Sequence, residues 1–170
     1  MFETLCGKCD HKNCCTNSAV PLVFGNDLEK IKKNNPQYMQ YLKTIEISGQ
    51  DVFAIKKKEG LSECIFWDGD VNGCKIYESR PIDCRLYPFD ILLVENSYHW
   101  IVYSCNKNAD WTWSETYLQA LEMDVGFDDL MNNIELFTEH TNMILPTELE
   151  KTPYDILRKV NWKNRVKNNI

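Results

Sequence analysis

The sequence has little glycine and little proline, seven and six of 170 residues, so nothing collagen-like or linker-like dominates it. Long hydrophobic runs are missing too. Ile91-Leu92-Leu93-Val94 and Trp100-Ile101-Val102-Tyr103 are four residues each, far short of the ~20 that a membrane-spanning helix needs. No G-x-G-x-x-G, phosphate-loop, G-x-S-x-G or H-E-x-x-H pattern occurs, which removes the sequence signals of dinucleotide binding, nucleotide hydrolysis, serine hydrolysis and zinc proteolysis. Histidine is scarce and scattered: His11, His99 and His140. No Cys/His pair stands out as nucleophile and base. At 44% hydrophobic residues the chain has the usual globular share, and its length is that of one domain.

Cysteine is what the sequence does have. There are eight, all between Cys6 and Cys105. Disulfides belong to oxidising compartments, metal or cluster ligation to reducing ones. The opening MFETLCGKCD has neither the basic nor the apolar stretch of a secretory leader, so a cytoplasmic location and thiols available for metal are expected.

Charge is spread unevenly. Residues 1–105 carry 12 basic and 14 acidic groups, 106–150 carry 1 and 10, and 151–170 carry 6 and 1, which gives the net −6. A field of that sign repels nucleic acid. Only the tail, with Arg158, Lys159, Lys163, Arg165 and Lys167, could attract a polyanion. The simpler expectation is a tail helix that docks on the acidic segment before it or faces solvent. Neither a nucleic-acid nor a membrane partner is expected, and no protein or small-molecule partner is indicated.

The patterning predicts an α+β fold: a small cysteine-rich, metal-centred domain with two β-hairpins and irregular loops, covered by C-terminal helices. Asp27–Lys33 reads as a short helix, and Pro36 opens another through Tyr41. Period-two alternation over Thr44–Ser48 and Val52–Lys56 signals one hairpin. Phe89–Val94 and Tyr98–Ser104 signal a second, across Glu95-Asn96-Ser97. After Cys105 the period turns helical. Thr112 and Glu115 form a capping box, Tyr117, Leu118, Leu121 and Val125 line one face, Gly126 interrupts, and Phe127, Leu130, Met131, Ile134 and Phe137 continue. Thr152-Pro153-Tyr154-Asp155 carries the start signals of a last helix. The division expected is a cysteine-cluster metal-binding region over 1–105 and a helical region over 106–170 packed on it in one compact domain.

The first cysteine group is Cys6-Gly7-Lys8-Cys9-Asp10-His11-Lys12-Asn13-Cys14-Cys15. Cys6 and Cys9 have the spacing that lets a loop turn both sulfurs to one zinc ion or iron–sulfur cluster. In extended chain, Cys14 and Cys15 point to opposite faces, so one is expected to ligate and the other to serve a second site, a bridge or the core. His11 could add an imidazole. The second group is Cys64, Cys74 and Cys84, whose nine-residue gaps can bring loop ends round one centre. Gly73 is expected to permit the turn that aims Cys74. Cys105, the eighth, reads equally as a ligand or as a small buried hydrophobe.

Thiolate-only ligation selects zinc, iron–sulfur or Cu(I). An iron–sulfur cluster, 4Fe-4S foremost, is favoured over zinc, because structural zinc usually has two short-spaced pairs and only one is present. Arg80 and Arg85 are candidate cofactor-binding residues, donating to the sulfurs and offsetting their charge. Equally, they could form surface ion pairs with Glu78, Asp83 or Asp90. Tyr77 and Tyr87 read as packing residues, and Pro81 and Pro88 as loop stiffeners. His99 reads as a hairpin-face residue, His140 as a group near a helix end that complements the dipole.

The first group, followed by Cys64-Ile65-Phe66-Trp67-Asp68-Gly69 and then Cys74-Lys75-Ile76-Tyr77-Glu78-Ser79-Arg80-Pro81-Ile82-Asp83-Cys84-Arg85-Leu86-Tyr87-Pro88-Phe89, resembles the YkgJ-like cysteine-cluster family of zinc- or iron-chelating domains, the CxxCxxxCC proteins. The stretch from Cys74 to Pro88 is the specific part. The chain departs from the family pattern in placing four residues, not two or three, between Cys9 and Cys14. The resemblance implies metal ligation by these cysteines. Similar patterns in flagellin lysine methylases suggest iron–sulfur chemistry, again by resemblance.

Overall fold

A computed structural model describes residues 20–103, 111–148 and 154–162. The chain divides into two compact units, Met1–Arg85 and Leu86–Ile170. Both sheets and helices are present, as expected of an α+β chain.

The first unit opens with β1 (Leu22–Val23) and α1 (Gly25–Asn34), followed by a 3-10 segment, Pro36–Tyr41, where an α-helical turn was expected. The hairpin β2 (Leu42–Ile47) and β3 (Gln50–Ile55) comes next. All three strands form an antiparallel sheet in the order β1-β3-β2. Its turn is tighter than the pattern suggested. Ser48 and Gly49 alone sit at φ +50° and +77°, and Gln50 already belongs to the ladder, opposite Ile47. Two consecutive left-handed residues match the right-handed twist of the flanking strands. A two-stranded ladder, β4 (Trp67–Asp68) with β5 (Gly73–Cys74), a 3-10 turn at Tyr77–Ser79 and α2 (Ile82–Leu86) follow. Val23, Ile31, Leu42, Ile55, Phe66 and Ile76 make the core.

The second unit pairs β6 (Phe89–Val94), β7 (Ser97–Tyr103) and β8 (Tyr154–Lys159) in that order, all antiparallel. Glu95 and Asn96, at φ +46° and +63°, close the β6–β7 hairpin. This hairpin precedes residue 105 in the chain and belongs to the second unit together with α3 (Ser114–Glu122), α4 (Val125–Asn132) and α5 (Ile134–Glu148). Trp100, fully buried, stacks on Phe127 with ring centroids 5.4 Å apart. Leu118, Leu121, Leu130, Met131 and Phe137 are buried with it, as their spacing predicted.

The fold departs from the sequence pattern at five further points. The helix after residue 111 starts at Ser114 with Trp113, not Thr112, at its N-cap. Val125 is 53% exposed and Gly126 does not interrupt. Instead Asp124 caps α4 by accepting from Gly126 N–H at 2.7 Å. His140 is buried within α5 rather than placed at a helix end. The last segment is strand, not helix: β8 pairs with β7 from His99↔Lys159 to Tyr103↔Tyr154, with a bulge at Trp100/Ile101. The edge of β7 offers a row of backbone groups to be satisfied, and pairing outweighs the local helix-start signals around Pro153.

The docking of the basic tail on the acidic segment is real, through Arg158, which pairs with Glu115 at 2.7 Å and Glu122 at 2.7 Å. Lys163, Arg165 and Lys167 lie outside the described residues. No helix among the described residues is long and apolar enough to cross a membrane.

Candidate metal centre

Three of the eight cysteines are described, and the first unit carries all three. Cys64 ends a loop that doubles back on β3's exit: Lys57 and Cys64 form an antiparallel bridge, and Ile65 N–H donates to Lys56 O at 3.0 Å. The Lys58–Glu63 ion pair, 2.8 Å, closes the same loop. Trp67 N–H then donates to Cys64 O at 3.0 Å, turning the chain into β4.

Cys74 stands opposite Trp67 in the β4–β5 ladder. The nine-residue gap between Cys64 and Cys74 is therefore a small folded turn. Asp68 shapes it by accepting from Asp70 N–H at 3.0 Å and facing Lys75 Nζ at 3.6 Å. The left-handed residue is Asn72, at φ +49°. This corrects the role given to Gly73, which lies in β5 and has no positive φ. Asn tolerates the left-handed region better than other side chains with a Cβ.

Cys84 sits in the short helix α2, which two carboxylates tie to β1 and α1. Asp27, on α1 and 4% exposed, accepts from Ile82 N–H at 2.6 Å. Asp83 accepts from Leu22 N–H, on β1, at 2.6 Å. Nothing in their sequence positions marks these two aspartates as site residues. Asp27 reads as an ordinary first-turn acid and Asp83 as a partner for an arginine; only the tertiary fold shows what they hold.

Cys64, Cys74 and Cys84 are all half-buried and pack against the one core cluster of Val23, Ile31, Leu42, Ile55, Phe66 and Ile76. Among the described residues alone, no three His, Cys, Asp or Glu side chains form a metal-holding group. Cys6, Cys9, Cys14, Cys15 and Cys105, and His11 with them, lie outside the described residues.

Arg80 is held locally. Its Nε donates to Tyr77 O at 2.8 Å, and its guanidinium lies 3.7 Å from the centroid of the Tyr77 ring. Arg85 follows Cys84 in α2 and is half-buried. Tyr87 stacks on Tyr103 at 6.2 Å, a packing role as expected. His99 lies on β7 with Nδ1 3.0 Å from Ser97 O.

Half-buried thiols from a β-bridge, a strand and a short helix on one small core are the donor chemistry of a thiolate metal domain, and they suit zinc or iron. The chain belongs to the CxxCxxCC family, described as "Putative zinc- or iron-chelating domain", whose model matches residues 5–106, more than half of the chain. The match spans every cysteine. No curated protein and no solved structure matches the chain.

Proposed function

We propose that the chain is a cytoplasmic protein that holds an iron–sulfur cluster, 4Fe-4S foremost, through Cys64, Cys74 and Cys84 together with cysteines from Cys6, Cys9, Cys14, Cys15 and Cys105. The observation that carries this reading is the packing of Cys64, Cys74 and Cys84, from three separate elements, against one core cluster. Membership of a zinc- or iron-chelating family supports ligation. The preference for a cluster rests on the ligand pattern. All donors are sulfur, the gaps are long, and only Cys6 and Cys9 form the short pair that structural zinc usually has twice. Such a cluster supplies electron transfer or Lewis-acid chemistry when bound. Arg80 and Arg85 are the cations proposed to offset the thiolate charge, Arg85 from within the Cys84 helix and Arg80 from its place over Tyr77.

The test is anaerobic purification followed by a visible spectrum and iron, zinc and acid-labile sulfide per chain. Matching iron and sulfide with a broad charge-transfer band is the expected result. Zinc near one per chain without sulfide overturns the cluster and leaves a zinc-stabilised binding module.

A further inference from the structure

The two carboxylates that hold the Cys84 helix form a reciprocal tie. Asp27 lies on α1, just after β1, and reaches forward 55 residues to the first N–H of α2. Asp83 lies in the first turn of α2 and reaches back 61 residues to the N–H of Leu22 on β1. Each satisfies a donor that the local chain leaves open. Ile82 N–H opens α2, where no earlier carbonyl of the helix can accept it. Leu22 N–H points away from the sheet, since β1 is an edge strand whose pairing with β3 runs through Pro21 O and Ile55 N–H. Both bonds are 2.6 Å from carboxylate to backbone amide, the short charge-assisted kind. Leu22 and Ile82 are fully buried, so water does not substitute for either acceptor. Cys84 is one residue beyond Asp83 and two beyond Ile82. The strand to which it is tied is the first described element after Cys15, seven residues further along the chain.

We infer that Asp27 and Asp83 are positioning residues for Cys84: their crossed hydrogen bonds fix the short helix that carries its sulfur relative to β1 and α1. The inference rests on the metal-binding reading above. The two acids do not touch metal. They act through the backbone of α2, as partners beyond the ligands commonly do, where their loss lowers affinity by about 10–100-fold.

The experiment uses the full reduced chain and zinc alone as the probe, with affinity read by chelator competition and each cysteine's reactivity toward iodoacetamide read by peptide mass spectrometry. Wild type is expected to bind zinc and to protect Cys64, Cys74 and Cys84. Asp27→Ala and Asp83→Ala are expected to bind zinc about 10–100-fold more weakly, with Cys84 alkylated well before Cys64 and Cys74. Asp27→Asn and Asp83→Asn, which keep an acceptor oxygen, are expected to restore protection of Cys84. Should an alanine variant not fold, Asp83→Glu, which shifts the carboxylate by one methylene, takes its place with the same expectations. Wild-type affinity and protection in the variants overturns the positioning role. So does simultaneous exposure of all three cysteines, which is the mark of a purely structural loss. A wild-type chain that binds neither zinc nor, under anaerobic conditions, ferrous iron and leaves all three thiols reactive overturns the metal-binding reading itself, and the positioning role falls with it.

Discussion

Arg158 grips Glu122 with both ends of its guanidinium, Nη1 to Oε1 at 2.7 Å and Nη2 to Oε2 at 3.1 Å. Glu122 is 5% exposed and also accepts from Trp100 Nε1 and Asn161 N–H, each at 2.8 Å. One buried carboxylate thus fastens β8, the indole at the centre of β7 and the chain beyond β8. A charge buried in this way is tolerated because both carboxylate oxygens accept hydrogen bonds, one of their donors being a guanidinium.

Removing Glu122 leaves three donors, one of them cationic, without their acceptor. Glu122→Ala is expected to lower unfolding free energy by about 3–5 kcal/mol. Arg158→Ala is expected to cost less, about 1–3 kcal/mol, because Trp100 and Asn161 still serve the carboxylate. Urea unfolding measures both, and amide exchange should show β8 opening first. A Glu122→Ala loss under 0.5 kcal/mol contradicts the assignment. Glu115, whose pKa the Arg158 hydrogen bond lowers, supports the same grip. Its contribution is present above the usual carboxylate range and fades as acid protonates it.

Asp90 works in the opposite direction. It accepts from Tyr103 Oη–H at 2.5 Å and from Ile91 N–H at 2.7 Å, but crowding strips water from its carboxyl and pushes its pKa up to about 6. The folded state therefore holds the Asp90 proton more tightly than the unfolded chain does. Its contribution is fully present below the unfolded value near 3.8 and is lost as pH rises through about 6. Asp90→Asn is expected to stabilise the fold at pH 7.5 by about 1–2 kcal/mol, a figure reduced for the part of the group that water reaches. The gain should shrink to nothing by about pH 4. Thermal melts of both proteins across that range decide it, and a gain that does not change with pH contradicts it.

Local pattern was enough for both hairpins, because period-two alternation flanking a turn depends on neighbours alone. Ser48-Gly49 and Glu95-Asn96 fall inside the predicted turns, and the core positions Leu118, Leu121, Phe127 and Leu130 fall on the predicted helix face. The last segment departs from its local pattern because its strand exists only by virtue of β7's open edge, 51 residues earlier at the Tyr103↔Tyr154 pair. Similarly, Thr112 and Glu115 have capping-box spacing, yet Glu115 is engaged by Arg158 from 43 residues away. At the candidate centre the cysteines declared themselves by type and spacing. Asp27 and Asp83 did not, since a carboxylate that accepts a backbone N–H across 55 or 61 residues leaves no periodic mark.

The turn before Cys74 offers a contrast between adjacent positions. Asn72 is left-handed at φ +49°, so Asn72→Val forces a β-branched residue into a region it avoids and is expected to cost about 1–2 kcal/mol. Gly73 needs no such freedom. A Cβ there would meet Val71 O at 3.6 Å and Val71 Cγ2 at 3.7 Å, ordinary contact. Gly73→Ala is therefore expected to be neutral or to stabilise by up to about 0.5 kcal/mol, through the less flexible unfolded chain. Chemical denaturation of the two variants checks the pair, and a Gly73→Ala loss larger than that of Asn72→Val reverses the assignment.

Thiols that share a metal should show it through linkage. Whatever binds the folded chain and not the unfolded one stabilises the fold by RT ln(1 + [L]/Kd), about 2.7 kcal/mol when free metal is 100-fold above Kd. Cys64→Ser, Cys74→Ser and Cys84→Ser are each expected to lower metal per chain and to forfeit most of that increment. Cys64, Cys74 and Cys84 are half-buried against the same core, so packing alone also predicts some loss for each variant. Stripping the metal separates the two causes. With a chelator present, wild type and variants should melt within a few degrees of one another, because the wild type has then lost the same stabilisation. Unequal melts that persist unchanged in the stripped proteins would assign these cysteines to packing and remove them from the centre.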